Sequence, residues 1–254
     1  MRTTKVDKLT VNIYDSRAEM GIMAAKGIKA TIAALLEKKD EINMIFAAAP
    51  SQNEVLAALA GDGDIAWSRI NAYHMDEYIG LPQNAPQAFG NFLRDRLFAL
   101  VPFKSVNYIN ASASDKDEEC KRYGELLKAN RPDIVVMGIG ENGHIAFNDP
   151  HVAFFNDPET VKAVKLDDVC RNQQVNDGCF DKFEDVPEYA LTLTIPTLTN
   201  TDHIFCIVPA KTKAWAVNET LKGNIDEHCP ASVLRTHKNA TLYLDPDSAA
   251  DFLK

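Results

Sequence analysis

The sequence predicts an α/β fold in which a mostly parallel β-sheet is covered by helices on both faces. Short runs with strand-like patterns alternate with helical stretches along nearly all of the 254 residues, and such alternation is typical of a parallel sheet. The apolar content of 46% and the charged content of 25% are those of a globular protein. No repeat, linker or low-complexity tract interrupts the pattern, so we expect a single domain over residues 1–254.

The first half of the chain repeats a strand-then-helix pattern. Leu9–Tyr14 alternates apolar and polar residues, as half-buried strands do. Asp15 or Ser16 can then cap the alanine-rich helix that extends to about residue 39. The further elements expected in this half are strands at 42–48, 70–75 and 106–109 and helices at 51–60, 88–97 and 115–129.

The second half contains the most apolar strand signal and one irregular segment. Residues 134–137, Ile-Val-Val-Met, are apolar throughout, which is typical of a buried strand. The segment from about 150 to 187 is polar, uneven and poor in strand signals, so we predict a lid-like insertion there. Further strands are expected at 190–195, 203–208 and 241–244, and a helix at 211–221.

Charge, hydropathy and cysteine usage argue against several functional classes. Lys and Arg number 27 against 36 Asp and Glu, a net charge of −9 with no basic block, so no nucleic-acid partner is expected. No apolar run approaches the ~20 residues that span a bilayer, and the first residues lack the apolar core of a secretory signal. The five scattered cysteines include no C-x-x-C pair, which indicates reduced thiols rather than a disulfide framework or a zinc site. We expect a cytoplasmic protein with no membrane association.

Candidate functional residues follow the predicted strands, because open α/β sheets bind ligands at the carboxyl ends of their strands. Asp76 and Glu77 come directly after the third strand. Adjacent side chains point in different directions, so at most one of these carboxylates faces a given ligand. A partly desolvated carboxylate in this position can act as a general base, and a turn or helix-capping role is the alternative.

The most informative stretch is residues 138–150, with the sequence G-I-G-E-N-G-H-I-A-F-N-D-P. Its three glycines allow close approach of the backbone to a ligand. The long apolar helix and the later acidic residue of a dinucleotide-binding fingerprint are missing, so no NAD site is expected. Glu141, Asn142 and Asp149 can orient His144 for acid–base chemistry. A histidine in such a loop is by itself as often structural, but together with a separate strand-end aspartate it favours catalysis.

Two predicted helix starts are candidate binding sites for an anionic group. Lys211 and Lys213 follow a strand and open a helix, and Ser51, Gln52 and Asn53 supply donors at another helix start. Ordinary helix caps and solvated lysines are the alternative interpretation of both patterns.

Two long motifs resemble those of the glucosamine-6-phosphate deaminase (isomerase) family. Residues 75–82, M-D-E-Y-I-G-L-P, are similar to its M-D-E-Y-x-G-L-P signature, and residues 138–150 are similar to its G-x-G-x-[DN]-G-H-I-[AG]-F-N-E-P signature. Their order and spacing also agree, and weaker similarity covers nearly the whole chain. The related 6-phosphogluconolactonases share the fold and the Gly-His pair, but the I-A-F-N of residues 145–148 favours the deaminase side.

The resemblance implies a Rossmann-like three-layer sandwich and an aldose–ketose isomerisation coupled to loss of ammonia. A hexosamine 6-phosphate would become a ketohexose 6-phosphate. Asp76 matches the base that carries a proton between C2 and C1, and His144 matches the ring-opening residue, with Asn142 and Asp149 completing its acid–base group. Lys213 matches the phosphate-binding lysine. The resemblance also implies no metal and no cofactor, a small-molecule sugar phosphate as the partner, and a homo-oligomer.

Three departures from the family pattern concern the substrate's surroundings. The family's Gly-Gly-Thr phosphate loop is replaced by A-A-P-S-Q-N at 48–53, Asp149 stands where glutamate is usual, and the nearest candidate for the lid arginine is Arg171. We therefore expect a retained acid–base centre with a rebuilt phosphate shell, which leaves galactosamine 6-phosphate or another amino-sugar phosphate open as substrate. A non-catalytic sugar-phosphate-binding regulator and a lactone hydrolase that uses His144 to activate water are the alternative functions.

Overall fold

A computed structural model describes residues 1–254 and places most strands in one large sheet. The strands of this sheet are β1 (Arg2–Val6), β2 (Leu9–Ile13), β3 (Ile42–Phe46), β4 (Ile70–His74), β6 (Ser105–Asn107), β7 (Ile134–Met137), β10 (His203–Val208) and β11 (Ala240–Leu244). A smaller sheet consists of β5 (Asp76–Tyr78), β8 (Val161–Lys165) and β9 (Tyr189–Leu193). The helices are α1 (Arg17–Leu36), α2 (Asn53–Ala60), α3 (Phe89–Leu93), α4 (Lys116–Ala129), α5 (Asp168–Asn176), α6 (Ile195–Thr199) and α7 (Ala214–Lys222).

The large sheet has the order β1-β2-β11-β10-β7-β3-β4-β6. All of its pairings are parallel except the hairpin of β1 with β2. Successive residues of its central strands enter two different cores: Met44 and Phe46 face the side covered by α1 and α2, whereas Ile45 faces the side covered by α4 and α7. The predicted three-layer fold with a mostly parallel sheet is thereby confirmed.

Helix α1 shows why its sequence forms this element. The Ser16 side chain caps its start by accepting a hydrogen bond from the Glu19 amide, at 3.1 Å. The buried residues Met20, Ala24 and Ile28 are spaced by four and form one stripe against the sheet. The helix has 20 residues, yet neither it nor any other helix is long and apolar enough to cross a lipid bilayer.

The smaller sheet is antiparallel, with the order β5-β9-β8. The prediction that the 150–187 segment is poor in strands was incomplete, because β8 lies within it. In β8 only Val161 and Val164 are buried, a spacing of three that does not alternate as strand patterns do. The strand predicted near 190–195 exists as β9, but it pairs in the small sheet rather than in the large one.

Candidate active site

One cleft opens where β3, β4, β7 and β10 end. Its volume, counted together with the open solvent at its mouth, is about 730 Å³. Asp76, His144, Lys213 and Ser51 all line it. Four of the residues predicted from separate parts of the sequence therefore share one cavity, because the parallel strands deliver their carboxyl ends to the same edge of the sheet.

Asp76 lies where the chain leaves one sheet for the other. Strand β4 ends at His74, and after Met75 the chain continues as β5, whose first residue is Asp76. The side chain is 5% exposed. Burial and the neighbouring charge of Glu77 raise the pKa of Asp76 well above its ordinary value. A carboxyl group with a raised pKa is suited to accept and return a proton near neutral pH.

The residues beside Asp76 hold its backbone in place. The His74 ring donates from Nδ1 to the Asp76 carbonyl and accepts from the Ile109 amide at Nε2, both at 2.9 Å. Burial lowers the pKa of His74 to about 4, so this ring is neutral. The Glu77 carboxylate is occupied by three backbone amides, those of Tyr78, Phe89 and Gly90. Glu77 therefore orders the start of α3, and Asp76 is the carboxyl group at the cleft.

His144 is oriented by hydrogen-bond acceptors on one side of its ring. Nδ1 lies 2.7 Å from Asn142 Oδ1 and 3.1 Å from Asp149 Oδ1. Because both neighbours are acceptors, Nδ1 carries the hydrogen and Nε2 is the nitrogen left for a ligand. Asn142 in turn donates from Nδ2 to Asp149 Oδ1 and to Asp167 Oδ2, both at 3.0 Å. Asn142 and Asp149 thus act on the cleft through His144 rather than by lining it.

Asp149 is fully buried behind the imidazole. Burial raises its pKa, but hydrogen bonds from His144, Asn142 and the Asp167 amide outweigh burial and hold the pKa below its usual value. The ionised Asp149 accepts a hydrogen bond from the His144 ring and so fixes the orientation of that ring. The shorter side chain that replaces the family's glutamate therefore still reaches the histidine.

Two groups of side chains each bring three possible metal-ligand atoms within 4.8 Å of one another: His144, Asp149 and Cys170, and Asp149, His151 and Asp167. In the first group, burial raises the pKa of the Cys170 thiol well above its usual value.

Lys213 extends a buried ammonium group toward the cleft. Its side chain is 5% exposed, and its nearest carboxylate oxygen, Asp177 Oδ2, is 4.0 Å away. Nζ has no hydrogen-bond partner, and burial lowers the pKa of this lysine. A buried cation without a hydrogen-bond partner is costly, so its environment is complementary to an anionic ligand. On the same wall Ser51 Oγ accepts from Gln52 Nε2 at 3.0 Å, which leaves the serine hydroxyl hydrogen to donate.

Three residues predicted to bind phosphate do not line the cleft. Gln52 is buried and donates to Ser51 and to the Ile207 carbonyl, so it supports the loop from behind. Asn53 accepts from Arg96 on the protein surface. The Arg171 guanidinium bonds the carbonyls of Phe183 and Val186 and lies over the Phe183 ring. Arg171, the candidate for the lid arginine, is thus directed away from the cleft in this structure and does not line it.

Four residues with polar or charged side chains that line the cleft were missed from sequence: Arg17, Gln173, Gln174 and Asp177. Arg17 could have been found, because it follows the carboxyl end of β2, a strand parallel to β11. The other three residues, which lie on α5 and directly after it, follow no strand of the sheet, so their sequence positions do not indicate the cleft. Only the folding of the chain brings α5 over the cleft. Gln173 fastens it by accepting from the Glu141 amide at 2.7 Å.

Comparison with known proteins identifies the family of this chain. The sequence profile of the glucosamine-6-phosphate isomerases/6-phosphogluconolactonase family matches residues 15–243. The chain belongs to this family. Its members include a glucosamine-6-phosphate deaminase from Listeria monocytogenes serotype 4a (strain HCC23), 36% identical over 83% of this chain and 88% of the relative. Another, from Bacillus cereus (strain B4264), is 40% identical over 71% of this chain and 67% of the relative.

Solved structures agree with membership of the isomerase/lactonase family. A structure described as a monomeric glucosamine-6-phosphate deaminase superimposes with a TM-score of 0.86 at 28% identity, covering 95% of this chain and 99% of its own. The 6-phosphogluconolactonase from Thermotoga maritima superimposes with a TM-score of 0.76 at 20% identity, over 94% and 100% of the two chains. The second similarity shows a shared fold alone. The resemblance predicted from two motifs is confirmed.

Proposed function

We propose that this protein converts a hexosamine 6-phosphate and water into a ketohexose 6-phosphate and ammonia. The observation that carries the proposal is that Asp76 and His144, from two separate family motifs, line one cleft together with Lys213, whose ammonium group has no hydrogen-bond partner. The printed names of the Listeria and Bacillus relatives support the same reaction. A binding protein without catalysis would need neither a base with a raised pKa nor an oriented imidazole.

The first step is opening of the sugar ring. His144 Nε2 takes the proton of the anomeric hydroxyl as the bond between C1 and the ring oxygen breaks. The protonated imidazole then gives a proton to the former ring oxygen. The ionised Asp149, 3.1 Å from Nδ1, stabilises the transient imidazolium. The product of this step is an open-chain aldehyde.

The second step moves a proton within the open chain. Asp76 removes the proton from C2 while O1 gains a proton from solvent, which leaves an enolamine. Asp76 then returns its proton to C1 as the amino group loses a proton to solvent. The resulting imine at C2 adds water and releases ammonia, so the overall reaction consumes one water molecule. In this proposal a carboxylate and an imidazole supply the proton transfers at C1, C2 and the ring oxygen, and no step uses a metal ion.

Ammonia release identifies the substrate. Glucosamine 6-phosphate and galactosamine 6-phosphate are incubated separately with the protein, with EDTA present, and ammonia is measured by a coupled dehydrogenase assay. Release from either compound supports the proposal. Tight binding of both without ammonia would instead identify a sugar-phosphate sensor, and hydrolysis of 6-phosphogluconolactone alone would identify a lactonase.

Replacing Lys213 with methionine should raise KM about 10- to 100-fold and leave kcat within a few fold, because the lysine binds a phosphate that is equally present in the ground and transition states. The variant should also melt at a higher temperature. Burial lowers the folded-state pKa of Lys213, so the charged lysine destabilises the fold at pH values below its unfolded pKa. Steady-state kinetics and thermal melting at pH 7 test both effects, and an unchanged KM would remove Lys213 from the site.

Replacing Gly140 with alanine should lower kcat about 100-fold, the effect expected of a misplaced catalytic group. A Cβ atom at this position would overlap the His144 ring at Cε1, Nε2 and Nδ1, so the imidazole must move. Gly63→Ala is the matched control, since a Cβ there meets nothing within 4 Å. Equal activity of the two variants would contradict the placement of His144.

Cytoplasmic location and homo-oligomeric assembly stay predictions. The solved deaminase with a TM-score of 0.86 is described as monomeric, and light scattering on the purified protein measures the assembly directly.

A further inference from the structure

We infer that Arg17, at the start of α1, binds the substrate's phosphate together with Lys213 and Ser51. An arginine of the first helix would thus bind the phosphate, whereas the family resemblance suggested an arginine of the lid for this role. The inference rests on the proposed function, because it names the group that receives the phosphate of that substrate.

Arg17 is held rigidly at the edge of the cleft. Its Nε donates to Glu54 Oε1 at 2.7 Å, and its Nη2 donates to Glu54 Oε2 at 3.1 Å and to the Pro50 carbonyl at 2.7 Å. Nη1 has no hydrogen bond within the protein. The guanidinium plane is therefore fixed while one nitrogen is left to donate, which is the arrangement that favours recognition of an oxyanion.

The partner of Arg17 is itself well positioned. Glu54 belongs to α2, and α1 approaches α2 so closely at Gly21 that a Cβ there would overlap the Cβ of Glu54. The contact between the two helices thus fixes Glu54, and Glu54 fixes Arg17. The Pro50 carbonyl belongs to the same short loop as Ser51, so the guanidinium and the serine hydroxyl are held on one support.

The two cationic side chains at the cleft are each partly offset by a carboxylate, and Glu54 is that partner for Arg17. Lys213 Nζ is buried without a hydrogen-bond partner, but Asp177 lies 4.0 Å from it and offsets part of its charge. Arg17 lines the same cleft, and Arg171 is committed to two carbonyls elsewhere. Arg17 and Lys213 are thus the two cationic side chains that line the cleft, and a phosphate held by both leaves Asp76 and His144 free for the sugar.

The test measures phosphate binding without turnover. The full-length protein is titrated with inorganic phosphate by calorimetry, and KM and kcat are measured with the hexosamine 6-phosphate that releases ammonia. Arg17→Gln should weaken phosphate binding and raise KM about 10- to 100-fold, with kcat within a few fold. Affinity for unphosphorylated glucosamine should not change. Arg96→Gln, an arginine that contacts Asn53 outside the cleft, is the matched control.

Loss of the ion pair with Glu54 is separated from loss of phosphate contact by a second variant. Arg17→Lys keeps a positive charge beside Glu54 but lacks the planar fork, so it should fold and still show a raised KM. Unchanged phosphate affinity and KM in both variants would overturn the inference. If no amino-sugar phosphate releases ammonia but Arg17→Gln still loses phosphate, the proposed reaction fails and the role of Arg17 stands.

Discussion

Asp76→Asn should lower kcat/KM for ammonia release about 100- to 10,000-fold, the contribution typical of a general base. Asparagine has nearly the same shape but cannot take the C2 proton, so substrate should still bind. Glu77→Gln is the matched control, because Glu77 is the adjacent buried carboxylate and its oxygens are occupied by backbone amides. We expect that control to retain turnover. Comparable activity of the Asp76 variant and the wild type would refute the assignment of the base.

The same substitution should raise the melting temperature, and the difference should grow with pH. Asp76 has a folded-state pKa well above its unfolded value, because of burial and of Glu77. Its contribution to stability is therefore fully present below the unfolded pKa and is lost as pH rises through the folded pKa. Asparagine carries no charge and avoids that loss. Calorimetric melting of both proteins from pH 4 to 8 measures the effect, and parallel melting curves would show that Asp76 is not a destabilised carboxylate.

The raised pKa of Asp76 also sets the acid side of the activity profile. Asp76 accepts a proton only when it is ionised, so kcat/KM should fall at a higher pH than an ordinary aspartate would dictate. The profile of kcat/KM against pH locates this limb. A limb at the ordinary aspartate value would place the base elsewhere.

His144→Gln should lower kcat about 100-fold or more. Glutamine can donate and accept hydrogen bonds but cannot carry the proton from the anomeric hydroxyl to the ring oxygen. The open-chain sugar then forms only by spontaneous opening, while Asp76 keeps its function. Ammonia release at saturating substrate measures the effect.

His151→Gln is the control for the His144 variant, since His151 is exposed, lies seven positions along the same segment, and its ring hydrogen-bonds the Lys165 carbonyl rather than a group that lines the cleft. We expect this variant to match the wild type. An His144→Gln protein with turnover within a few fold of the control would exclude the histidine from ring opening.

The predictions that succeeded depended on local information. The helix from Ser16 was predictable from one capping side chain and from apolar spacing, and the strand at 134–137 from its uninterrupted apolar run. The strand β8 escaped prediction because its two buried valines do not alternate. The position of β8 in the small sheet depends on its pairing with β9, a strand that comes later in the chain.

Only some of the residues predicted to bind phosphate lie in the cleft. Ser51 and Lys213 line the cleft, whereas Gln52, Asn53 and Arg171 point elsewhere. Neighbouring residues at a helix start face different directions, and a helix turns by about 100° per residue. A sequence can therefore predict that a loop or helix lies near a site, but it does not show which side chains of that segment face the site.

By itself the sequence determined the layered parallel architecture, the family, and the aspartate and histidine that we propose act on the substrate, because these depend on periodicity and on motifs whose residues are adjacent in the chain. Only the tertiary structure decided that Asp76 and His144 share a cleft, that Asn142 and Asp149 lie behind the imidazole, and that Arg17 rather than Arg171 lines the cleft. Those relations join residues that are distant in sequence, and they arise from the directions in which strands and helices pack.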